Sequence, residues 1–328
     1  MRILPLFLVA SLHAFAAEPL PALHAETRNL TVSGVSSGGY MAVQFHVAHS
    51  KLVKGAGVIA GGPYYCAMGS VWTALYNCMT PGAWTPLPAV EALKAAAESF
   101  ARSGRIDPTR NLSGAAAWLF SGTRDATVLP PVVKQLQRFY ELYGTHALLV
   151  ADKAAGHAMV TRNAGNKNCA VTAAPYINDC DYDAAGELLR HLLGSLQAPA
   201  GKPAGRLLVF DQDHYAAGSA YAVSMAQGGY LYVPKPCETE RCRVHVVFHG
   251  CRQNAAEVGE QFVRDAGYNR WADSNRLIIV YPQTIARYFL IFNPRACWDW
   301  WGYTGPGYAT RDGAQIRAIK AMLERIAQ

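Results

Sequence analysis

Short apolar runs along this chain alternate with longer stretches in which apolar residues recur every three or four positions. The runs Leu30–Val35, Leu52–Ala60, Ala116–Ser121, Thr145–Val150, Arg206–Phe210, Gly229–Val233, Val244–Phe248 and Leu277–Tyr281 predict strands. Gly38–Ala48, Ala89–Ala101, Val128–Tyr143, Tyr182–Leu193, part of Glu257–Asn275 and Asp312–Ile326 predict helices. Between Tyr64 and Pro88 the pattern is irregular. Short apolar strands separated by helices imply an α/β fold, with a mostly parallel central sheet covered by helices on both faces. No internal repeat appears.

The first residues follow a different pattern. Arg2 supplies positive charge, Ile3 to Leu12 is apolar, and Ala14-Phe15-Ala16 is a small-x-small site. Residues 1–16 therefore read as a signal peptide, and 17–328 as one catalytic domain, exported to the periplasm or beyond. At 51% hydrophobic, the 328-residue chain can bury a large core. Its net charge of +7 is scattered, which excludes the dense basic patch of a nucleic-acid binder. No apolar span of membrane length appears, so no membrane partner is expected.

Eight cysteines in an exported chain imply disulfides. Short spacings favour Cys66–Cys78, Cys169–Cys180 and Cys237–Cys242, leaving Cys251–Cys297, although other pairings remain open. A cysteine-ligated zinc site is the weaker alternative, because no C-x2-C pair occurs.

The chemistry centres on Gly34-Val35-Ser36-Ser37-Gly38, a G-x-S-x-G turn between a predicted strand and a predicted helix. Such a turn exposes a serine hydroxyl as nucleophile, so Ser36 is the candidate. Asp125 follows the Ala116–Ser121 strand and is the candidate orienting acid; Asp152 is a rival that lies too near His157 in sequence. His157, after Gly156, is the candidate general base. His46 lies on the helix after the elbow and reads as structural. The order Ser…Asp…His separates this set from the chymotrypsin and subtilisin orders. His249-Gly250-Cys251 follows a strong strand and reads as an oxyanion loop, so the backbone N–H groups of Ser37 and Cys251 are the expected oxyanion donors. A metal role for His245 and His249 competes weakly, since no third ligand stands nearby. Trp298, Trp300, Trp301 and Tyr303 form an aromatic segment read as substrate-binding, with Trp72, Trp84 and Tyr64-Tyr65 facing it across a cleft. Core packing beside a disulfide is the competing reading.

The elbow comes unusually early, and strands that should precede it follow the histidine. This order resembles an α/β-hydrolase cut just before its nucleophile strand, with the old ends joined: a circularly permuted α/β-hydrolase. Gly-Val-Ser36-Ser-Gly-Gly-Tyr-Met-Ala, Gly-Thr-Arg-Asp125, Gly156-His157, Phe248-His249-Gly250-Cys251 with Gln253, and the late Asn-Pro…Cys-Trp-Asp-Trp-Trp-Gly-Tyr segment together resemble the extracellular poly(3-hydroxybutyrate) depolymerases with a permuted, single catalytic domain. The resemblance covers essentially the whole mature chain. It implies a secreted serine esterase that cleaves short-chain polyhydroxyalkanoates through an acyl-enzyme, without metal or organic cofactor. It also implies an aromatic-lined crevice for one polymer strand and an apolar surface that meets the solid polyester, and a monomer is expected. A feruloyl- or acetyl-type esterase and a non-catalytic surface-binding protein are the alternative readings.

Overall fold

The structure is a computed structural model that describes residues 17–163 and 165–328; the segment read as a signal peptide lies outside them. The described chain runs β1 (Glu26–Val35), α1 (Ser37–Ala48), β2 (Val53–Ile59), α2 (Val90–Arg102), β3 (Ala116–Phe120), α3 (Pro130–Glu141) and β4 (His146–Val150). It continues through β5 (Met159–Thr161), β6 (Lys167–Asn168), β7 (Ile177–Asp179), α4 (Ala184–Leu193), β8 (Arg206–Asp211), β9 (Gly228–Val233) and β10 (Arg243–Phe248). It ends with α5 (Ala255–Val258), α6 (Gln261–Asp265), α7 (Tyr268–Asn275), β11 (Leu277–Tyr281) and α8 (Ala314–Ala327).

Eight strands form one sheet in the order β4-β3-β2-β1-β10-β11-β9-β8. The first six are parallel, and β9 and β8 add an antiparallel edge. β1 is central, and its last six residues are buried in succession. Consecutive burial on a strand means that both faces of the sheet are covered, as a parallel sheet requires. α1 is buried on every side, so its sequence is mostly apolar and its polar Gln44 and His46 are hydrogen-bonded, to the Asp299 carbonyl and the Tyr140 hydroxyl.

The order of strands accounts for the early elbow. β1, met first in the chain, pairs with β10, met near its end, in parallel register from Thr31 opposite His245 to Gly34 opposite Phe248. The Leu23 and Ala25 N–H groups both donate to the Ile326 carbonyl at 3.2 and 3.0 Å. The last turn of α8 therefore abuts the entry to β1, where an unpermuted chain would simply continue from helix to strand.

One predicted segment is refined and one element was not foreseen. The helix expected within Glu257–Asn275 is present in short pieces, α5 to α7, broken at Gly259 and Gly267, whose φ values of +60° and +97° end a helical turn. The stretch after His157 holds a separate sheet, β5-β7-β6, whose strands of two or three residues are too short to show alternation.

Candidate active site

Ser36 stands between the end of β1 and the start of α1 with φ +56° and ψ −122°, a backbone state that costs on the order of 1–3 kcal/mol. Its surroundings hold it there. The Ser36 N–H donates to the Ile59 carbonyl at the end of β2, and the Tyr40 N–H donates to the Ser36 carbonyl. The flanking glycines answer to close approach rather than to flexibility. A Cβ on Gly34 would lie 2.1 Å from the Gly38 oxygen, and one on Gly38 would lie 2.3 Å from the Phe248 oxygen. The turn can thus nest against β10 only without side chains at these two positions.

Asp125 is buried on the loop after β3. Its Oδ1 accepts the Thr127 and Val128 N–H groups at 2.8 and 3.0 Å, and its Oδ2 lies 2.8 Å from His157 Nδ1. The carboxylate therefore has partners for both oxygens, which offsets the cost of burying it. The Asp125 loop is also laced to the loop that carries His157, through the Thr123 N–H to the Lys153 carbonyl and the Arg124 N–H to the Ala155 carbonyl. His157 is fixed from the other side. Its N–H donates to Thr172 Oγ1, and the Gly156 N–H donates to the Cys169 carbonyl. With Nδ1–H given to Asp125, Nε2 is left as the acceptor for a proton. Ser36 and His157 line the same cavity of about 450 Å³. Among the described residues their side chains share no hydrogen bond, a looseness common before substrate is bound. The rival Asp152 lies on the surface, paired with Lys153. His46 is buried against the Tyr140 hydroxyl.

The Ser37 and Cys251 N–H groups find no acceptor among the described residues, so both donors are free for a developing anion. The Gly250 backbone is held from two sides. His249 Nδ1 lies 2.7 Å from the Gly250 carbonyl, and the Gly250 N–H donates to Gln253 Oε1 at 2.7 Å. His249 Nε2 accepts the Thr284 N–H, so both ring nitrogens are engaged and the ring has no lone pair for a metal. His245 is likewise engaged, by Thr31 and Ser33. Burial lowers the pKa of His249 to about 4 and of His245 to about 3, which keeps both neutral.

The structure joins Cys66 to Cys78, Cys169 to Cys180, Cys237 to Cys242 and Cys251 to Cys297. Two of these bonds brace the cavity directly: Cys169–Cys180 closes the segment that supports His157, and Cys251–Cys297 lashes the loop after β10 to the tryptophan segment.

The aromatic segment divides. Trp300 and Trp301 line the cavity, and Trp300 stacks on Tyr40 with ring centroids 4.0 Å apart. Trp298 does not reach the cavity; it is fully buried, edge-on to Phe248. Tyr303 does not reach it either, because its hydroxyl donates to the Cys297 carbonyl. Between them Asp299 takes the N–H groups of Gly302, Tyr303 and Thr304, and this knot sets which rings turn inward. On the opposite wall, Tyr64 is core and donates to the Ala309 carbonyl, while Trp72 and Trp84 point into solvent. Val71, Ala74, Leu75 and Met79 make that wall instead. Sequence reasoning missed Tyr40 as a lining residue, although its position four after Ser36 places it one helical turn above that serine. It also missed Phe292 and Tyr176, which no local pattern marks.

Residues 228–326 match the family described as esterase PHB depolymerase. The chain is 37% identical to the polyhydroxybutyrate depolymerase of Talaromyces funiculosus, over 95% of this chain and 93% of that one. It is 44% identical to the poly(3-hydroxybutyrate) depolymerase of Delftia acidovorans over 97% of its own length, and spans 63% of that longer relative. Among solved structures, a PHB depolymerase variant complexed with R3HB trimer superposes with a TM-score of 0.83 at 35% identity, covering 94% of this chain and 98% of that one. The PHB depolymerase of Penicillium funiculosum superposes with a TM-score of 0.82 at the same identity and coverage. With its permuted sheet and full-length likeness, the chain belongs to the PHB depolymerase family.

Proposed function

We propose that this protein hydrolyses the ester bonds of poly(3-hydroxybutyrate) through a Ser36 acyl-enzyme. The observation that carries the reading is the buried Asp125–His157 pair opening, beside the strained Ser36, onto one apolar cavity. His157 Nε2 takes the Ser36 proton as Oγ attacks the ester carbonyl. The Ser37 and Cys251 N–H groups hold the oxyanion, each donor contributing about 3 kcal/mol to the transition state. His157 then passes its proton to the leaving alcohol oxygen, and water releases the acyl group by the same route. Asp125 holds the imidazole tautomer and stabilises the imidazolium.

Access to polymer is built into the rim. Val71 and Leu75 on one side and Phe292 on the other line the cavity and are also exposed. On the same loop tip as Phe292 stand Phe289 and Leu290, 84% and 100% exposed. Apolar surface of this extent beside a cavity marks a contact face, here for the solid polyester. Four disulfides suit the oxidising compartment that such a substrate implies.

The test is hydrolysis of amorphous poly(3-hydroxybutyrate) beside a feruloyl ester and p-nitrophenyl butyrate, with product masses recorded. Release of hydroxybutyrate and its oligomers is expected. Turnover of the small esters with no polymer products would move the function to a general esterase.

A further inference from the structure

The proposed substrate is a neutral polyester, yet two cations line the cavity that would receive it. Arg252 and Arg295 are the only Lys, Arg, Asp or Glu residues among the described lining residues. Neither guanidinium has an acidic partner or a hydrogen-bond acceptor among the described residues, whereas most arginines of this chain have one or the other. Their backbones are held together, with the Arg252 N–H donating to the Arg295 carbonyl at 2.8 Å and the Cys251–Cys297 disulfide closing the same pair of segments. The backbones that carry the two exposed side chains therefore form a stiff frame beside Cys251. Around them the walls are aromatic and aliphatic, and charges beside such low-dielectric walls focus their field on an approaching anion.

We propose that Arg252 and Arg295 form a carboxylate-recognition site that selects polyester oligomers by their free acid end. The inference rests on the polyester reading above. A linear 3-hydroxy acid oligomer has one anionic group, its terminal carboxylate, so two cations in the cavity distinguish a chain end from the chain interior. Guanidinium groups suit that task because they match a carboxylate with paired N–H donors. The geometry of an ester fixes which fragment is held. The fragment acylated onto Ser36 bears the hydroxyl end; the alcohol fragment bears the carboxylate. As the bond between the carbonyl carbon and the alcohol oxygen breaks, His157 gives its proton to that oxygen, and the carboxylate leaves unchanged. The arginines thus hold the leaving fragment, and chain-end cleavage of soluble oligomers is favoured over attack within a chain.

The experiment compares the 3-hydroxybutyrate trimer as free acid and as methyl ester, with p-nitrophenyl butyrate as reference. The enzymes are the unmodified protein, Arg252→Gln, Arg295→Gln and the double variant. KM for the acid trimer is expected to rise about tenfold in the double variant, the scale of removing one charge-assisted hydrogen bond. No change is expected for the methyl ester or the p-nitrophenyl ester, and Tm should hold, since both side chains are exposed. Equal effects on acid and methyl ester, or none on either, overturn the arginine site and leave the polyester reading standing. Turnover of p-nitrophenyl butyrate with neither trimer cleaved overturns the polyester reading and the arginine site with it.

Discussion

At the scale of single residues, the site rests on a division of labour between Ser36, His157 and Asp125. In the proposed reaction Asp125 does no chemistry on the substrate; its Oδ2 lies 2.8 Å from His157 Nδ1, which leaves Nε2 to take the Ser36 proton. Replacing it with Asn keeps the size and the polar contacts but allows the wrong tautomer. Asp125→Asn is expected to lower kcat roughly 10⁴-fold with little change in KM for p-nitrophenyl butyrate. A reduction of tenfold or less would remove Asp125 from the set. That these three residues come together was legible in the sequence, because the expected chemistry demands particular residue types in a particular order after particular strands; the structure pairs Asp125 with His157 and sets His157 and Ser36 on one cavity. The aromatic residues were not. Trp298 and Trp300 are two positions apart in one segment, yet the first is core beside Phe248 and the second faces the cavity on Tyr40. What separates them is the Asp299 turn, a buried carboxylate whose hydrogen bonds reach three to five residues onward. No local pattern announces that.

At the scale of elements, the site is a meeting of loops, each stiffened in its own way. The elbow is wedged between β2 and β10, and the oxyanion loop is tied to the tryptophan segment by Cys251–Cys297. That bond spans 46 residues. Removing a loop of this size from the constraints on the unfolded chain corresponds to about 4 kcal/mol by chain-entropy reasoning. Replacing both cysteines with serine is therefore expected to lower the denaturant midpoint markedly and to reduce kcat, since the Cys251 N–H loses its frame. An unchanged midpoint would show that the bond stabilises nothing. The rim loop makes a different prediction. The Arg287–Asn293 bridge closes a tip that carries Tyr288, Phe289, Leu290 and Phe292 outward. Replacing Phe289 and Leu290 with serine should weaken retention on polyester film and slow film erosion several-fold, with p-nitrophenyl butyrate turnover unaltered. Equal reductions on both substrates would make the tip part of the catalytic frame instead. Most long elements were legible from apolar period. The β5-β7-β6 sheet was not, because strands of two or three residues carry no period and depend on the disulfide and backbone bonds that gather them.

At the scale of the whole molecule, the permuted order is accommodated where the last turn of α8 meets the segment that enters β1: the Ile326 carbonyl accepts the Leu23 and Ala25 N–H groups. The sequence showed the order of motifs, and the sheet order β2-β1-β10 shows why that order works, since elbow and oxyanion loop emerge from adjacent strands. The same compact core sets the acid limit of the fold. Burial holds His46 and His245 at about 3 and His49 and His249 at about 4. In the unfolded chain these groups titrate near the ordinary value of about 6.5. Between those values the unfolded state binds more protons, so stability is full above about 6.5 and is lost as pH falls towards the folded values. The expected slope is about 1.4 kcal/mol per pH unit for each fully buried imidazole. Tm should fall steadily from about pH 6.5 to about 4.5; a flat Tm over that range would mean that these rings are protonated without unfolding. The central claim, that Ser36 cleaves the polyester, is tested most directly by incubating amorphous poly(3-hydroxybutyrate) with the protein and with Ser36→Ala, and following soluble hydroxybutyrate by mass. Steady release is predicted for the first. For the second, release should be lower by at least about 10⁴-fold, with film binding and Tm retained. Undiminished release by Ser36→Ala, or none by the unmodified protein, would contradict that claim.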